Sequence, residues 1–322
     1  INAMLFTNLN KELNGIFSLK TLDQEIKGVL KSNNKETTLN TDIFLEMGDI
    51  YNYGEYLSLN GSENFNTILT IGDSVSLELT SDLKNTSIKS IVSEINKDKN
   101  EILKTKIYID NLTNPSYFIE NLKFEAFLNT KGNGYFSFGQ SFKKDIESID
   151  INDGFFVFLE LDKLNALSLF NQNQSEYDSN LKLVKLKINE LNLLNNIYID
   201  QNFEINFNEN ESKASFNGNN LNGTFRMDST GFARIDVFDT KFEFKGINSF
   251  ESDESFDFKN INLRFVGKNI QTFDNVFQNV DFYFLRNNSV STIDNIKISS
   301  VNLNVEPSNP VSYTHLRAHE TT

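Results

Sequence analysis

The groups with which this sequence could do chemistry are carboxylates, hydroxyls, amides and lysines. Its two histidines, His315 and His319, lie within the last dozen residues, and cysteine and tryptophan are absent throughout. Over residues 1–310 this inventory excludes Ser/His/Asp and Cys/His catalysis, histidine-ligated metals and zinc-thiolate sites. The most metal-like spacing is Asp150-Ile151-Asn152-Asp153-Gly154, similar to a calcium loop that sets oxygen ligands at alternate positions before a glycine turn. It is one residue short and lacks the closing glutamate, so it reads as a turn entering the strand that follows. Two carboxylates held at a fixed separation hydrolyse glycosidic bonds. Here most acidic residues alternate with apolar ones, as on a solvated strand face, and the missing tryptophan argues against a carbohydrate-active enzyme. The triplet Asn111-Leu112-Thr113 fits a glycosylation acceptor but follows from asparagine abundance. The expectation is no catalysis, no metal and no cofactor.

The tail Val311-Ser312-Tyr313-Thr314-His315-Leu316-Arg317-Ala318-His319-Glu320-Thr321-Thr322 breaks with everything before it. It resembles translated sequencing-adapter read-through at the ends of reading frames assembled from environmental DNA, and residues 311–322 are set aside as a non-native tail.

The elements that must position any site follow from patterning. The 322 residues hold 30 phenylalanines and 10 tyrosines at a hydrophobic fraction of only 39%, so apolar content sits in aromatic rings spaced by polar residues. A formal net charge of −14 repels phosphate backbones and excludes nucleic acid as a partner. There is no apolar run of about 18 residues and no basic flank before Ile1–Phe6. The chain starts without an initiator methionine and reads as an internal fragment, with any anchor upstream.

Period-two alternation dominates, as in Val75-Ser76-Leu77-Glu78-Leu79, Phe203-Glu204-Ile205-Asn206-Phe207, Lys241-Phe242-Glu243-Phe244-Lys245 and Val280-Asp281-Phe282-Tyr283-Phe284, and predicts half-buried strands. Asn14-Gly15, Asn60-Gly61, Asn133-Gly134, Asn217-Gly218 and Asn222-Gly223 predict hairpin turns. Pro115 is the one proline before Pro307, so ladders can run almost unbroken. Short helices are expected over 87–98, with Ser87 as cap and Ile88, Ile91, Val92 and Ile95 on one face, and after Asp162 through Leu164, Leu167 and Phe170. Glu190-Leu191-Asn192-Leu193 returns as Asn260-Ile261-Asn262-Leu263, each followed by an alternating aromatic strand, which suggests repeated strand units. The most apolar stretch, Gly154–Leu161, puts Phe155, Val157, Leu159 and Leu161 on one face and Phe156 and Phe158 on the other. It reads either as a core strand between packed layers or as a curved sheet with one face lining an apolar groove and the other covered by a helix.

Three stretches carry a family resemblance. Gly61 through Leu79 into Ser81-Asp82-Leu83-Lys84, Gly154 to Phe170 with Leu161-Asp162, and Lys187 to Phe207, Ser215 to Arg226 and Phe256 to Phe284 together resemble the periplasmic part of the YhdP branch of AsmA-like proteins, relatives of TamB. Leu221-Asn222-Gly223-Thr224 stands in place of the family's Ser-x-x-Leu-x-Gly element, while its proline-rich stretch after Ser-Asp-Leu and a tryptophan near Ala166 are absent. The resemblance implies an all-β fold: an elongated antiparallel sheet of repeated strand units curled into a hydrophobic groove, with a few short helices. Residues 1–150 form an N-terminal strand region and 151–310 the groove units. It further implies a Gram-negative periplasmic protein, anchored to the inner membrane in its full-length form, that shields phospholipid acyl chains in transit between inner and outer membranes. Both membranes would be reached through parts missing from this fragment. The lining candidates are Phe155, Val157, Leu159, Phe203, Ile205, Phe207, Phe242, Phe244, Phe282 and Phe284. The alternative is a structural or adhesive envelope protein whose apolar faces close into a dry core.

Overall fold

Alternating segments do become strands, and the chain is all-β and rich in antiparallel pairings. The computed structural model describes residues 2–7, 13–20, 25–33, 35–47, 57–90, 93–165, 180–193, 196–208, 210–242, 262–272, 275–287, 290–301 and 303–305. Two compact units, Ile1–Phe158 and Leu159–Thr322, meet inside one strand.

The first unit contains β1 (Asn2–Thr7), β2 (Leu13–Lys20), β3 (Glu25–Ser32), β4 (Thr37–Glu46), β5 (Leu57–Asn60), β6 (Ser62–Ile71), β7 (Val75–Ser81), β8 (Ser87–Ser90), β9 (Thr105–Asp110), β10 (Ser116–Glu120), β11 (Phe124–Asn129) and β12 (Gly134–Phe138). Strands β1–β4, β6, β7 and β9–β12 form an antiparallel meander in chain order. β5 and β8 pair separately. A short helix, α1 (Lys143–Ser148), precedes β13 (Phe155–Asn165), which spans the boundary between the two units. The second unit continues with β14 (Leu181–Leu193), β15 (Asn196–Phe207), β16 (Glu211–Asn219), β17 (Asn222–Asp228), β18 (Phe232–Phe242), β19 (Asn262–Thr272), β20 (Asn275–Asn287), β21 (Val290–Ser300) and β22 (Asn304–Val305). From β14 onward consecutive strands pair antiparallel, except β18 and β19, which run parallel.

The helix expected over 87–98 does not form. Ile88 and Lys97 exchange backbone hydrogen bonds of 2.9 Å in both directions, and Leu59 of β5 stands opposite Ile88. Pairing across the chain thus satisfies backbone groups that a helix would satisfy internally, and among the described residues of 87–98 the helical geometry is a 3₁₀ turn at Ser93–Ile95. Nor does a helix begin at Asp162. β13 continues to Asn165, and Asp162 accepts a 3.0 Å hydrogen bond from Asn189 Nδ2. Ala166, Leu167 and Phe170 lie outside the described residues, as do Phe244 and the tail 311–322.

The expected Asn-Gly turns are only partly turns. Gly61 has φ +128° and joins β5 to β6, but Gly15, Gly218 and Gly223 lie inside strands. Asparagine makes the hairpins in another way. The side-chain oxygens of Asn33, Asn121, Asn129, Asn208 and Asp228 each accept two backbone N–H bonds from residues two to four positions on. These Asx turns help reverse the chain, those at Asn129 and Asp228 together with a left-handed glycine, Gly132 at φ +77° and Gly231 at φ +79°, which gives the asparagine-rich composition a structural role.

Candidate functional site

Register assembles alternating strands into faces. In the second unit one lateral row runs Leu186, Phe203, Phe216, Gly223, Val237, Gly267, Val280 and Ile298, each directly opposite the next. A second row runs Val184, Ile205, Ala214, Phe225, Ile235, Phe265 and Phe282. A third runs Phe207, Ser212, Met227, Ala233, Leu263, Phe284 and Ile293. At about 4.8 Å per strand, the apolar face spans about 29 Å between β14 and β20. Most of its large side chains are half-buried and keep part of their surface in solvent.

The opposite face is charged. Lys185 pairs with Glu204 at 3.5 Å and Arg234 with Asp236 at 2.7 Å. Arg264 donates to both carboxylate oxygens of Asp281 at 3.1 and 2.9 Å and lies 5.3 Å over the Tyr283 ring. That bidentate contact holds the Asp281 carboxyl below its ordinary value and keeps the Arg264 guanidinium more firmly protonated.

The apolar face changes character along a line where strands flip. Asp200, Asp239 and Asn269 have φ of 53°, 46° and 52°, a conformation that short polar side chains tolerate best. Each inserts a left-handed residue, so inward positions jump from i+2 to i+3: Val237 is 4% exposed and Thr240 1%. Side chains brace the line, with Asn269 Nδ2 donating to Asp239 Oδ1 at 3.0 Å and Asn219 Nδ2 to Asp200 Oδ2 at 3.3 Å. On the near side Ile188 and Gln201 stand opposite one another, one pair along from Leu186 and Phe203, and are buried; beyond the line lie the buried Leu191, Tyr198, Leu221 and Ile270.

This geometry places the expected lining residues. Phe203, Ile205, Phe207, Phe282 and Phe284 share one face of the second unit, joined through the residues between them. Phe242 lies past the flip on β18, with its ring 6.5 Å from and edge-on to Tyr198. Leu159 is half-buried in the second unit, while Phe155 and Val157 are half-buried in the first. Their neighbours Phe156 and Phe158 go deep, Phe158 being fully buried with its ring 5.6 Å from Phe142. Leu186, Phe216, Phe225, Ile235, Val237 and Phe265 complete the face and were not among the sequence candidates. Their alternation in Lys185-Leu186-Lys187 and Ile235-Asp236-Val237 was the signal that could have found them.

The first unit has a comparable face. Leu30, Leu39, Leu69, Leu77, Ile109, Tyr117 and Leu128 form one lateral row. At one end Met47, Phe65 and Leu83 are buried with Leu45, Leu59, Leu79 and Ile107 packed around them. A polar lock holds this plug: the buried Glu63 accepts from the Asn85 backbone N–H and from Ser81 Oγ. The buried Lys97 Nζ donates to Thr86 O at 2.6 Å and Asp98 O at 3.0 Å. Loss of water around Lys97 lowers the pKa of its amine.

The calcium-like segment is a turn. Asp150 Oδ1 accepts from the Asn152 N–H at 3.0 Å, Ile151–Asp153 form a 3₁₀ turn, and Gly154 leads into β13. Among the described residues no three carboxylate or histidine groups gather in a metal-binding arrangement. No helix of the described residues is long and apolar enough to cross a membrane. No family model, curated protein or solved structure matches the chain.

Proposed function

We propose that this chain is a periplasmic segment of an AsmA-like protein of the YhdP branch, and that its apolar sheet face shields phospholipid acyl chains moving between the inner and outer membranes. The observation that carries the reading is the set of three lateral rows in the second unit, apolar but for Ser212, whose large side chains other than Val237 mostly keep part of their surface in solvent on one face while ion pairs occupy the other. A closed dry core would bring such rows to full burial, as at Phe65 and Ile188, which are 1% and 0% exposed. An open face leaves them part-covered, and each methylene laid against it contributes about 0.8 kcal/mol. Phospholipid headgroups stay in water beside an open trough, so the reading needs no charged pocket.

The test is mass spectrometry of lipid carried through purification of the chain, with photo-crosslinkers at Phe203 and Phe207. Phospholipid adducts at both positions are expected. Neither co-purified lipid nor an adduct would leave the structural envelope protein with a closed core as the better account.

A further inference from the structure

We infer that the charged face of the second unit carries a binding site for a phosphate group, built by Lys213, Ser215, Thr224 and Arg226 where β16 meets β17. These residues alternate with Ala214, Phe225 and Met227 of the apolar rows, so the site lies on the opposite face and is independent of acyl shielding.

Arginine is placed selectively in this chain. Five of its 30 basic residues are arginine, and apart from Arg317 in the tail all of them, Arg226, Arg234, Arg264 and Arg286, lie on β17–β20. Register sets Lys213, Arg226, Arg234 and Arg264 directly opposite one another across β16–β19. Like charges in opposed positions destabilise a sheet, and sequences break such local rules chiefly at functional sites. Most of the row is compensated. Lys213 is ion-paired with Glu211, and Asp236 and Asp281 grip Arg234 and Arg264. The nearby Asp228 carboxylate is taken up by Thr230 and the Phe232 N–H, and Glu204 by Lys185. Arg226 is exposed, and its side chain makes no ion pair or hydrogen bond with the described residues.

Two residues along the same strands Ser215 stands opposite Thr224, and neither hydroxyl has a hydrogen-bond partner among the described residues. The four side chains mark a rectangle about 5 Å across the strands and about 7 Å along them. Two cations and two hydroxyls can therefore converge on one oxyanion. A tetrahedral phosphate offers oxygen to all four corners, whereas a planar carboxylate has two oxygens and leaves half of the donors unmet. Arginine in place of lysine adds the planar fork that matches phosphate. The formal net charge of −14 repels an extended polyanion, so the site is one phosphate wide and works through short contacts.

The experiment titrates the full chain with inorganic phosphate, read by phosphorus NMR, and floats it with phosphatidylcholine vesicles containing phosphatidic acid. Saturable phosphate binding is expected. It should weaken at least about tenfold in Arg226→Gln, and again in the double variant Ser215→Ala with Thr224→Val, through lost charge-assisted hydrogen bonds. Either variant tests the site when the other fails to fold. Vesicle capture that inorganic phosphate displaces assigns the site to a lipid headgroup, and phosphate binding without displaceable capture assigns it to a soluble phosphate ester. No phosphate binding by the wild type, or binding unchanged in Arg226→Gln, overturns the inference and leaves acyl shielding standing.

Discussion

Ile188→Asp and Ile205→Asp separate a dry core from an open face within one pair of strands. Ile188 on β14 is 0% exposed and faces Gln201, whose Nε2 already donates to Ile199 O and Asn219 O. A carboxylate at position 188 would find no donor there, and the Gln201 Oε1 would repel it. Losing a buried isoleucine costs about 1.5–3 kcal/mol and an unpaired buried carboxylate several more, about 5 kcal/mol or above in total. That equals the whole stability of many domains, so Ile188→Asp should unfold the second unit. Ile205, on the adjacent strand between Val184 and Ala214, is half-buried. An aspartate there can hydrate from the open side and loses only part of the transfer energy, about 1–2 kcal/mol, or about 2–8 °C in Tm. Urea and thermal melts followed by far-UV circular dichroism read both. Equal unfolding by the two substitutions would refute the open face, and equal mildness would refute the burial at Ile188.

Two further outcomes follow from the flip line and the charged face. Asn269→Val should lower the urea midpoint by the equivalent of about 1–3 kcal/mol, because a β-branched residue is strained at φ 52° and the bond to Asp239 is lost. Asn269→Gly should restore most of it, and equal loss in both variants would place the cost in the hydrogen bond alone. Asp281 is held below its ordinary 3.8, first by its hydrogen bonds from Arg264. The stabilisation is complete above the unfolded value and disappears as pH falls through the folded one, so Asp281→Asn should cost stability near pH about 7 and little near pH about 2. A loss independent of pH would show that ionisation is not its source.

Much of this was legible locally. Alternation at Phe203–Phe207 and Val280–Phe284 gave strands and the face each phenylalanine takes, because successive side chains of a strand point to opposite sides. Helical spacing misled at Asp162, where β13 continues as a strand to Asn165, while Leu167 and Phe170 lie outside the described residues. At Ile88 an apolar stripe of helical spacing became half of a strand pair with β5, since the backbone bonds were met by a partner distant in sequence.

The sequence by itself determined that the chain is strand-built, that its rings lie mostly on one side of each strand, and that histidine and thiol chemistry is absent from residues 1–310. These are consequences of residue type and of a period two residues long. Only tertiary structure decided which rows meet. Lateral register puts Phe203 beside Phe216 and Phe265 beside Phe282, joins β18 to β19 in parallel, and sends Phe158 into the interior while Val157 stays half-exposed. In Gly154–Leu161 both faces are apolar, so nothing local distinguishes them, and burial there depends on what packs from elsewhere in the chain. Gly223 shows the same limit: Asn222-Gly223 reads as a turn, and in the sheet Gly223 lies inside β17 directly across from Phe216.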